Sequence, residues 1–226
     1  AIFLQDIGSY YPSLIIGYDY MSRSVLPEAK QMFKDFYDLR MEAKADGDTA
    51  TADACKLILN TVYGAMKSKY NALADSMQAT NVCVSGQLFI IDLLHRIVTA
   101  ADSVKLIQAN TDGWMYSIDR EQIPLVDAVV EQWKVETGFS VSTDEIEVVW
   151  QRDVNSYIAL FKDGEIHAKG APVKDHLGRG DGWESRGFTM SRAIVDKAIV
   201  NHLVYGTPIE DTINNEDDLS WFQIIT

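Results

Sequence analysis

The chain has 226 residues and a formal net charge of −13, with 47% hydrophobic and 23% charged residues. That composition describes an ordered globular chain that can bury a sizeable core, as one large domain or two small ones. The acidic balance excludes a general nucleic-acid surface, so any nucleic-acid partner has to be met by local basic clusters.

No apolar stretch reaches the ~18 residues of a bilayer-spanning helix, and no basic leader followed by an apolar run opens the chain, so no membrane partner is expected. Cys55 and Cys83 are the only cysteines, with no CxxC and no metal-like spacing. That usage suggests a reducing, cytoplasmic setting. The chain starts in the middle of an apolar run, without an initiator Met, which suggests a segment of something longer.

The first seventeen residues organise the rest. Ile2, Phe3 and Leu4 predict a buried strand that ends in a carboxylate, Asp6, followed by Gly8 and a turn closed by Pro12. A carboxylate at the end of a buried strand is costly unless its charge meets a cation. The alternative is an Asp that caps the next helical turn, with Ser9 or Ser13 helping.

Residues 17–24 are polar and turn-like, and Pro27 stands where a helix begins. From Glu28 to about Ala45, Met32, Phe33, Phe36, Leu39 and Ala43 recur at helical spacing, with Lys30, Lys34, Arg40 and Lys44 on the other face. Asp46-Gly47-Asp48 breaks this helix, and a second runs from about Ala50 to Lys67 to make a helical hairpin. On it, Lys56, Asn60 and Tyr63 share one face at i, i+4 and i+7. A solvated polar face is the plain reading. Leu57, Ile58, Leu59 and Val62 beside them predict a helix packed on much of its surface, and then Lys56 and Asn60 suit an anion. Lys67, Lys69 and Tyr70 add positive charge just beyond Gly64.

Thr80 to Ala101 predicts a core helix, with Gln87 and Arg96 unassigned and His95 structural or exposed. Two β-prone runs between Val104 and Ile118 flank Asn110-Thr111-Asp112-Gly113, a hairpin signal in which Asp112 alone would be an ordinary turn residue. A helix from about Pro124 to Thr137 follows. Strands are predicted over Ile146–Val149, Tyr157–Phe161 and Ile166–Lys169, with Glu145 and Glu147 as solvated strand residues. The Gly178–Gly187 stretch, with Arg179 and Arg186, lacks the strand-to-helix context of a phosphate loop. Ser191 to Tyr205 forms the last predicted helix. Beyond it, Glu210, Asp211, Glu216, Asp217 and Asp218 read as a solvated linker.

Two carboxylates brought together repel unless cations lie between them. With a basic helix nearby, they supply the parts for two-metal phosphoryl or nucleotidyl transfer, in which ions ~3.5–4 Å apart stabilise the attacking and leaving oxygens. Mg²⁺ needs few protein carboxylates, because substrate phosphate supplies further oxygens.

The sequence resembles family B DNA polymerases, particularly the compact phage-type enzymes, over nearly its whole length. Asp6-Ile7-Gly8-Ser9-Tyr10-Tyr11-Pro12-Ser13 is similar to motif A, commonly DxxSLYPS. Lys56-Leu57-Ile58-Leu59-Asn60-Thr61-Val62-Tyr63-Gly64 is similar to motif B, KxxxNSxYG, with Thr61 in place of Ser. Asn110-Thr111-Asp112-Gly113 stands where motif C, DTDS, is expected. Asn155-Ser156-Tyr157 and Lys169-Gly170 resemble the KxY region and the KG that follows it. Motifs A and B together are highly specific; motif C alone would be weak.

The resemblance implies an α+β fold: a polymerase palm with an antiparallel sheet plus a two-helix fingers insertion. Residues 1–24 would be palm with motif A, 25–70 the fingers hairpin with motif B, 71–206 palm with motif C, and 207–226 an acidic linker toward an absent thumb. It implies a DNA-directed DNA polymerase in the cytoplasm of a bacterial or phage-infected cell. Its partners would be primer–template DNA and dNTP, with exonuclease or thumb domains supplied elsewhere. Asp6 and Asp112 would hold two Mg²⁺ ions, Mn²⁺ substituting, with the Ile7 carbonyl helping. Backbone N–H groups of Ser9 and Tyr10 would meet the triphosphate, a use of main-chain donors as an anion cradle. Arg40 and Lys56 would neutralise its phosphates with help from Lys44, and Asn60 would hydrogen-bond near the β-phosphate. Tyr11 would lie under the sugar and exclude a 2′-hydroxyl, and Tyr63 would flank the nascent base pair. Tyr157, Lys169, Gly170 and Arg152 would contact the duplex.

Asn110 departs from the motif by removing one negative charge beside the ions, and Asn155 replaces the lysine of KxY. No exonuclease motifs precede Asp6, and the residues after the last helix are too few for a thumb. A split or non-catalytic palm fragment is therefore the alternative. Reverse transcriptases and nucleotide cyclases are disfavoured by the KxxxNxxYG helix.

Overall fold

The computed structural model describes residues 1–170 and 192–223. Its frame is a six-stranded sheet of order β2-β3-β1-β4-β5-β6. The strands are β1 (Ile2–Ile7), β2 (Lys105–Ala109), β3 (Gly113–Ser117), β4 (Val141–Asp153), β5 (Ser156–Phe161) and β6 (Ile166–Lys169). Every neighbouring pair is antiparallel, with β1 in the middle, and helices pack on one face of the sheet, so the mixed α+β expectation holds at that level.

Side chains alternate across a strand, so β1 divides its residues between two faces. Ile7 joins the main core, with Phe3 packed against it, together with Trp114 and Tyr116 of β3. Ile2 and Leu4 belong to a second cluster with Met115, Ile146, Ala159 and Phe161 on the other face. Asp6 shares this second face by parity. The buried-strand expectation is corrected in its residues: Ile2, Phe3 and Leu4 are half-buried, while Gln5 is almost wholly buried. Its amide satisfies both ends, accepting from Trp114 Nε1 at 3.0 Å and donating to Thr143 Oγ1 at 2.9 Å.

The turn expected to close at Pro12 is instead helix α1 (Tyr10–Gly17), with Pro12 in its first turn, where a proline has no N–H to leave unpaired. Helices α2 (Pro27–Ala45) and α3 (Thr49–Lys67) form the expected hairpin around Gly47, which adopts φ +75°. Its burial differs from the periodicity. Only Phe33 and Ala43 of the predicted α2 apolar face are buried, Met32 and Leu39 are exposed, and Arg40 is buried among them. On α3 the buried side is Ala52, Cys55, Leu59 and Met66, while Leu57 and Ile58 face outward.

Helix α4 (Ser76–Ala100) starts four residues before the predicted Thr80. Asp75 caps it by accepting from Gln78 N at 3.2 Å, and Arg23 grips the same carboxylate with two N–H groups at 2.8 and 3.0 Å. The Arg23 hydrogen bonds hold the Asp75 carboxyl well below the usual carboxylate range. By length and composition α4 is long and apolar enough to cross a membrane, with a mean hydropathy of 1.5 in its most apolar stretch, which corrects the expectation that no segment reaches that measure. Val82, Gly86, Ile90, Leu93 and Ile97 nonetheless form a buried side, as in a core helix. Helix α5 (Ile123–Thr137) packs beside it and stops at Gly138, φ +74°. Trp133, Phe139 and Phe89 interlock there, with ring centroids 5.3–6.4 Å apart.

Strand β4 is far longer than Ile146–Val149, because Ser142, Thr143 and Asp144 pair with β1 in spite of their polarity. Glu145 is half-buried, pairs with Arg120 at 2.7 Å and lies 3.6 Å from Lys162, whereas Glu147 is exposed, as expected for a solvated strand residue. His95 is exposed, and Arg96 bridges Asp92 and Glu136. Helix α6 (Ala193–Tyr205) covers β5 and β6 through Val200 against Ile158 and Ala168. The Gly178–Gly187 stretch lies outside the described residues. The acidic tail is corrected from a solvated linker, because it folds as α7 (Ile209–Asn214) and a 3₁₀ turn at Leu219–Phe222. Lys197 of α6 pairs with Glu216 and lies 4.4 Å from the Trp221 ring centroid.

Candidate active site

Strand β1 is flanked by β3 and β4, and the β2–β3 turn brings Asp112 to its end. The Ile7 N–H donates to the Asp112 carbonyl at 2.7 Å, so two of the three predicted ligand residues, Ile7 and Asp112, are backbone neighbours. Asn110 builds this turn. Its Oδ1 accepts from Asp112 N at 3.2 Å and Gly113 N at 2.9 Å, and its own N–H donates to the Gly113 carbonyl at 2.9 Å. The residue that departs from the polymerase motif therefore holds the loop bearing Asp112, as Asn commonly does in turns.

Gly113 stands opposite Asp6 in the β1–β3 register. A Cβ at Gly113 would lie 2.0 Å from Asp6 Oδ1, so the Asp6 carboxylate occupies space that only glycine leaves free. Nothing in the sequence pattern marks this role. The carboxylates Asp112 and Asp144 also bear on Asp6, and Asp144 was not a predicted site residue. Burial raises the Asp6 pKa above the usual carboxylate value, the charges of Asp112 and Asp144 raise it further, and Lys169 opposes them.

The sign of that shift gives a stability prediction. A carboxyl that holds its proton more tightly in the fold contributes stability that is complete below its unfolded pKa and is lost as pH rises through the folded value. Asp6→Asn is therefore expected to raise the melting temperature of metal-free protein at pH 7. The gain should vanish below about pH 4, where both states carry the proton. Calorimetry across pH checks it; an equal gain at both ends of the range would overturn the electrostatic cause.

Beside Asp112 lies a cavity of about 250 Å³ lined by Ser9, Tyr10, Tyr11, Pro12, Arg40, Lys56, Leu59, Asn60, Tyr63, Thr111 and Asp112; Asp6 and Ile7 are not among its lining residues. Segments far apart in the chain thus meet around one space. The turn into α1 is set by Ser9, whose φ of 50° and ψ of 41° are left-handed, a conformation that non-glycine residues adopt at a cost. The Ser9 side chain makes no capping bond to α1, and the Ser13 hydroxyl donates back to the Ser9 carbonyl at 3.0 Å. The capping alternative for this segment thus fails on Ser9.

Lys56, Asn60 and Tyr63 line the cavity along one edge of α3, around the buried Leu59. Arg40 also lines it, but much of its guanidinium is already engaged: Nε donates to Ser9 Oγ at 3.1 Å and Nη1 to the Ala52 carbonyl. Arg40 therefore ties α2, α3 and the α1 turn together as well as adding positive charge. Lys44 is exposed on the last turn of α2 and is not among the cavity-lining residues, so it is not brought to the site.

The predicted duplex-contacting residues lie on the far strands. Tyr157 and Lys169 are register partners across β5 and β6, and Lys169 is near enough to oppose the Asp6 shift. Gly170 has φ +91°, and a Cβ there would come within 2.1 Å of the Asn155 carbonyl, so only glycine fits this strand end. Arg152 is exposed and pairs with Asp153 at 3.3 Å.

Among the described residues no group of three or more His, Cys, Asp or Glu side chains is clustered as a closed metal cage. The charge of Asp112 raises the Asp6 pKa, and Asp112 lines the cavity with Lys56 and Arg40; carboxylates so placed are a donor set suited to Mg²⁺ that keeps substrate oxygens as ligands. A scan against protein-family models and a search of curated proteins each return no match for this chain.

Proposed function

We propose that this chain is the catalytic core of a family B, phage-type DNA polymerase, with a palm formed by the sheet and fingers formed by α2 and α3. The observation that carries the reading is the convergence of three distant segments on one cavity. These are Ser9–Tyr11 after β1, Lys56, Asn60 and Tyr63 of α3, and Asp112 of the β2–β3 turn. Each residue then has a task that matches its chemistry.

Lys56 and Arg40 carry the positive charge that meets a triphosphate, and Asn60 adds a neutral donor beside them. The left-handed Ser9 heads α1 beside the same space, and main-chain N–H groups at such a turn suit an anion. Tyr11 is the wall against the sugar and selects deoxynucleotides by exclusion. Asp6 and Asp112 hold Mg²⁺, which when bound supplies charge stabilisation to the entering and leaving oxygens. Catalysis is then positioning and electrostatics, with no protein nucleophile. The primer 3′-hydroxyl attacks the α-phosphorus and pyrophosphate leaves.

The net charge of −13 favours one second reading, a piece of a split polymerase whose DNA grip comes from another chain, because affinity for DNA follows phosphate neutralisation. Extension of a labelled primer–template at low salt and high protein concentration, with Mg²⁺ or Mn²⁺, tests the main reading. Lys56→Ala should lower kcat/KM for the incoming nucleotide roughly tenfold to a hundredfold, as loss of a charge-assisted hydrogen bond does. Single-turnover kinetics measure it, and an unchanged kcat/KM would remove Lys56 from the phosphate site. Absence of extension by the wild type, with Mn²⁺ bound at Asp6 and Asp112, selects the split reading.

A further inference from the structure

Tyr11 and Tyr63, two neighbouring residues of the cavity wall, are joined by a thiol. Tyr63 Oη lies 2.6 Å from Cys83 Sγ and Tyr11 Oη lies 3.8 Å from the same sulfur. The two rings meet edge-on, with centroids 4.6 Å apart and an interplanar angle of 62°. Cys83 is half-buried on α4 and is not one of the cavity-lining residues, so it acts from behind the rings.

The same helix fixes the preceding tyrosine. Tyr10 Oη donates to the Gly86 carbonyl at 2.6 Å. A Cβ at Gly86 would press to 3.3 Å from the Tyr10 ring and 3.2 Å from Leu14. Cys83 and Gly86 are three residues apart and therefore share a face of α4, so one helix surface sets two consecutive tyrosines of α1. A phenol donates well and a thiol is both a weak donor and a weak acceptor, which lets one sulfur serve two hydroxyls. Burial pushes Tyr11 up to about 12, with the hydrogen bond to Cys83 the next cause, and the same two causes raise Tyr63. Both hydroxyls thus keep their protons at neutral pH.

We propose that Cys83 is a positioning residue for sugar selection: its sulfur holds the Tyr11 ring, through Tyr11 and Tyr63 together, as a fixed wall against a 2′-hydroxyl. The inference rests on reading the cavity as a deoxynucleotide site. Without the sulfur, Tyr11 keeps its ring and hydroxyl contacts with Tyr63 but loses its side-chain link to α4 and can tilt.

Binding of dATP and ATP is measured with Mg²⁺ and a dideoxy-terminated primer–template, so that no chemistry follows, for wild type, Cys83→Ala and Cys83→Ser. The wild type should prefer dATP. Cys83→Ala should lose roughly threefold to tenfold of that preference, the factor for one net hydrogen bond. Cys83→Ser should keep it within about twofold, because the hydroxyl restores the bond that alanine lacks. Thermal melts establish that all three proteins are folded. An equal preference in wild type and Cys83→Ala overturns the proposal, as does an equal loss in serine and alanine, which would mark plain packing. Preference for dATP in the wild type without extension of a 3′-hydroxyl primer would overturn the reading of this chain as a self-sufficient polymerase and leave this one standing. No nucleotide binding by the wild type overturns both.

Discussion

Asp112→Ala is expected to leave the protein folded and able to bind DNA while lowering nucleotide addition by about a thousandfold or more, several kcal/mol of lost charge stabilisation. Asp112 is exposed at the tip of the β2–β3 turn, so its side chain contributes little to packing. The turn itself survives, because Asn110 Oδ1 bonds backbone N–H groups that alanine retains. Removing a negative charge from an acidic chain also lowers repulsion toward phosphate, so affinity for primer–template should hold or tighten. Single-turnover extension and anisotropy with labelled DNA measure the two quantities on one preparation. A retained extension rate would exclude Asp112 from the reaction; a parallel loss of DNA binding would make it a structural residue.

The second large effect comes from a residue with no functional group. Gly113→Ala places a methyl group 2.0 Å from Asp6 Oδ1, 2.9 Å from Asp6 Cγ and 3.1 Å from the Gln5 carbonyl. The strand backbone stays, because β3 is held on both sides by β2 and β1, and the short Asp6 side chain has to swing aside. A displacement of about 1 Å at a reacting centre costs roughly a hundredfold in rate, so extension should fall at least that far with the circular dichroism unchanged. The effect should be absent in an Asp6→Ala background, where the methyl group meets no carboxylate. Such non-additivity is the mark of residues acting as one unit. Full additivity of the two changes would show that Gly113 acts elsewhere.

Much of the frame was legible because it is written in periodicity and turn chemistry. The α2–α3 hairpin follows from the helical spacing on either side of Asp46-Gly47-Asp48, and the β2–β3 hairpin from its Asn–Gly-containing tip. Other boundaries were hidden by local competition. Helix α4 begins at an Asp75 cap that needs Arg23, 52 residues away, to complete it. Strand β4 extends through Ser142, Thr143 and Asp144 because β1 supplies their pairing, which overrides the polar composition. Arg40 is expected with the lysines on the face of α2 opposite its apolar positions, whereas Ser9 and Ala52 accept from it inside the fold. The acidic tail folds because Lys197 meets Glu216 and Trp221.

Of the residues in motif spacing, Tyr11, Lys56, Asn60, Tyr63 and Asp112 line one cavity, and Asp6 is tied to it through the charge of Asp112. Residues that work by space or by backing were not legible in the sequence. Gly113 matters for the Cβ it lacks, Asp144 for a charge reached only through the β1–β4 register, and Cys83 for two hydroxyls from separate helices. Such roles exist only once the sheet and α4 are assembled.

The most direct test is single-nucleotide extension by the wild-type chain on four primer–templates that differ only in the templating base, with Mg²⁺ at low salt. The account predicts addition of the complementary deoxynucleotide on each template and no addition when Mg²⁺ is chelated. Addition that ignores the template base, or that persists without metal, would contradict it.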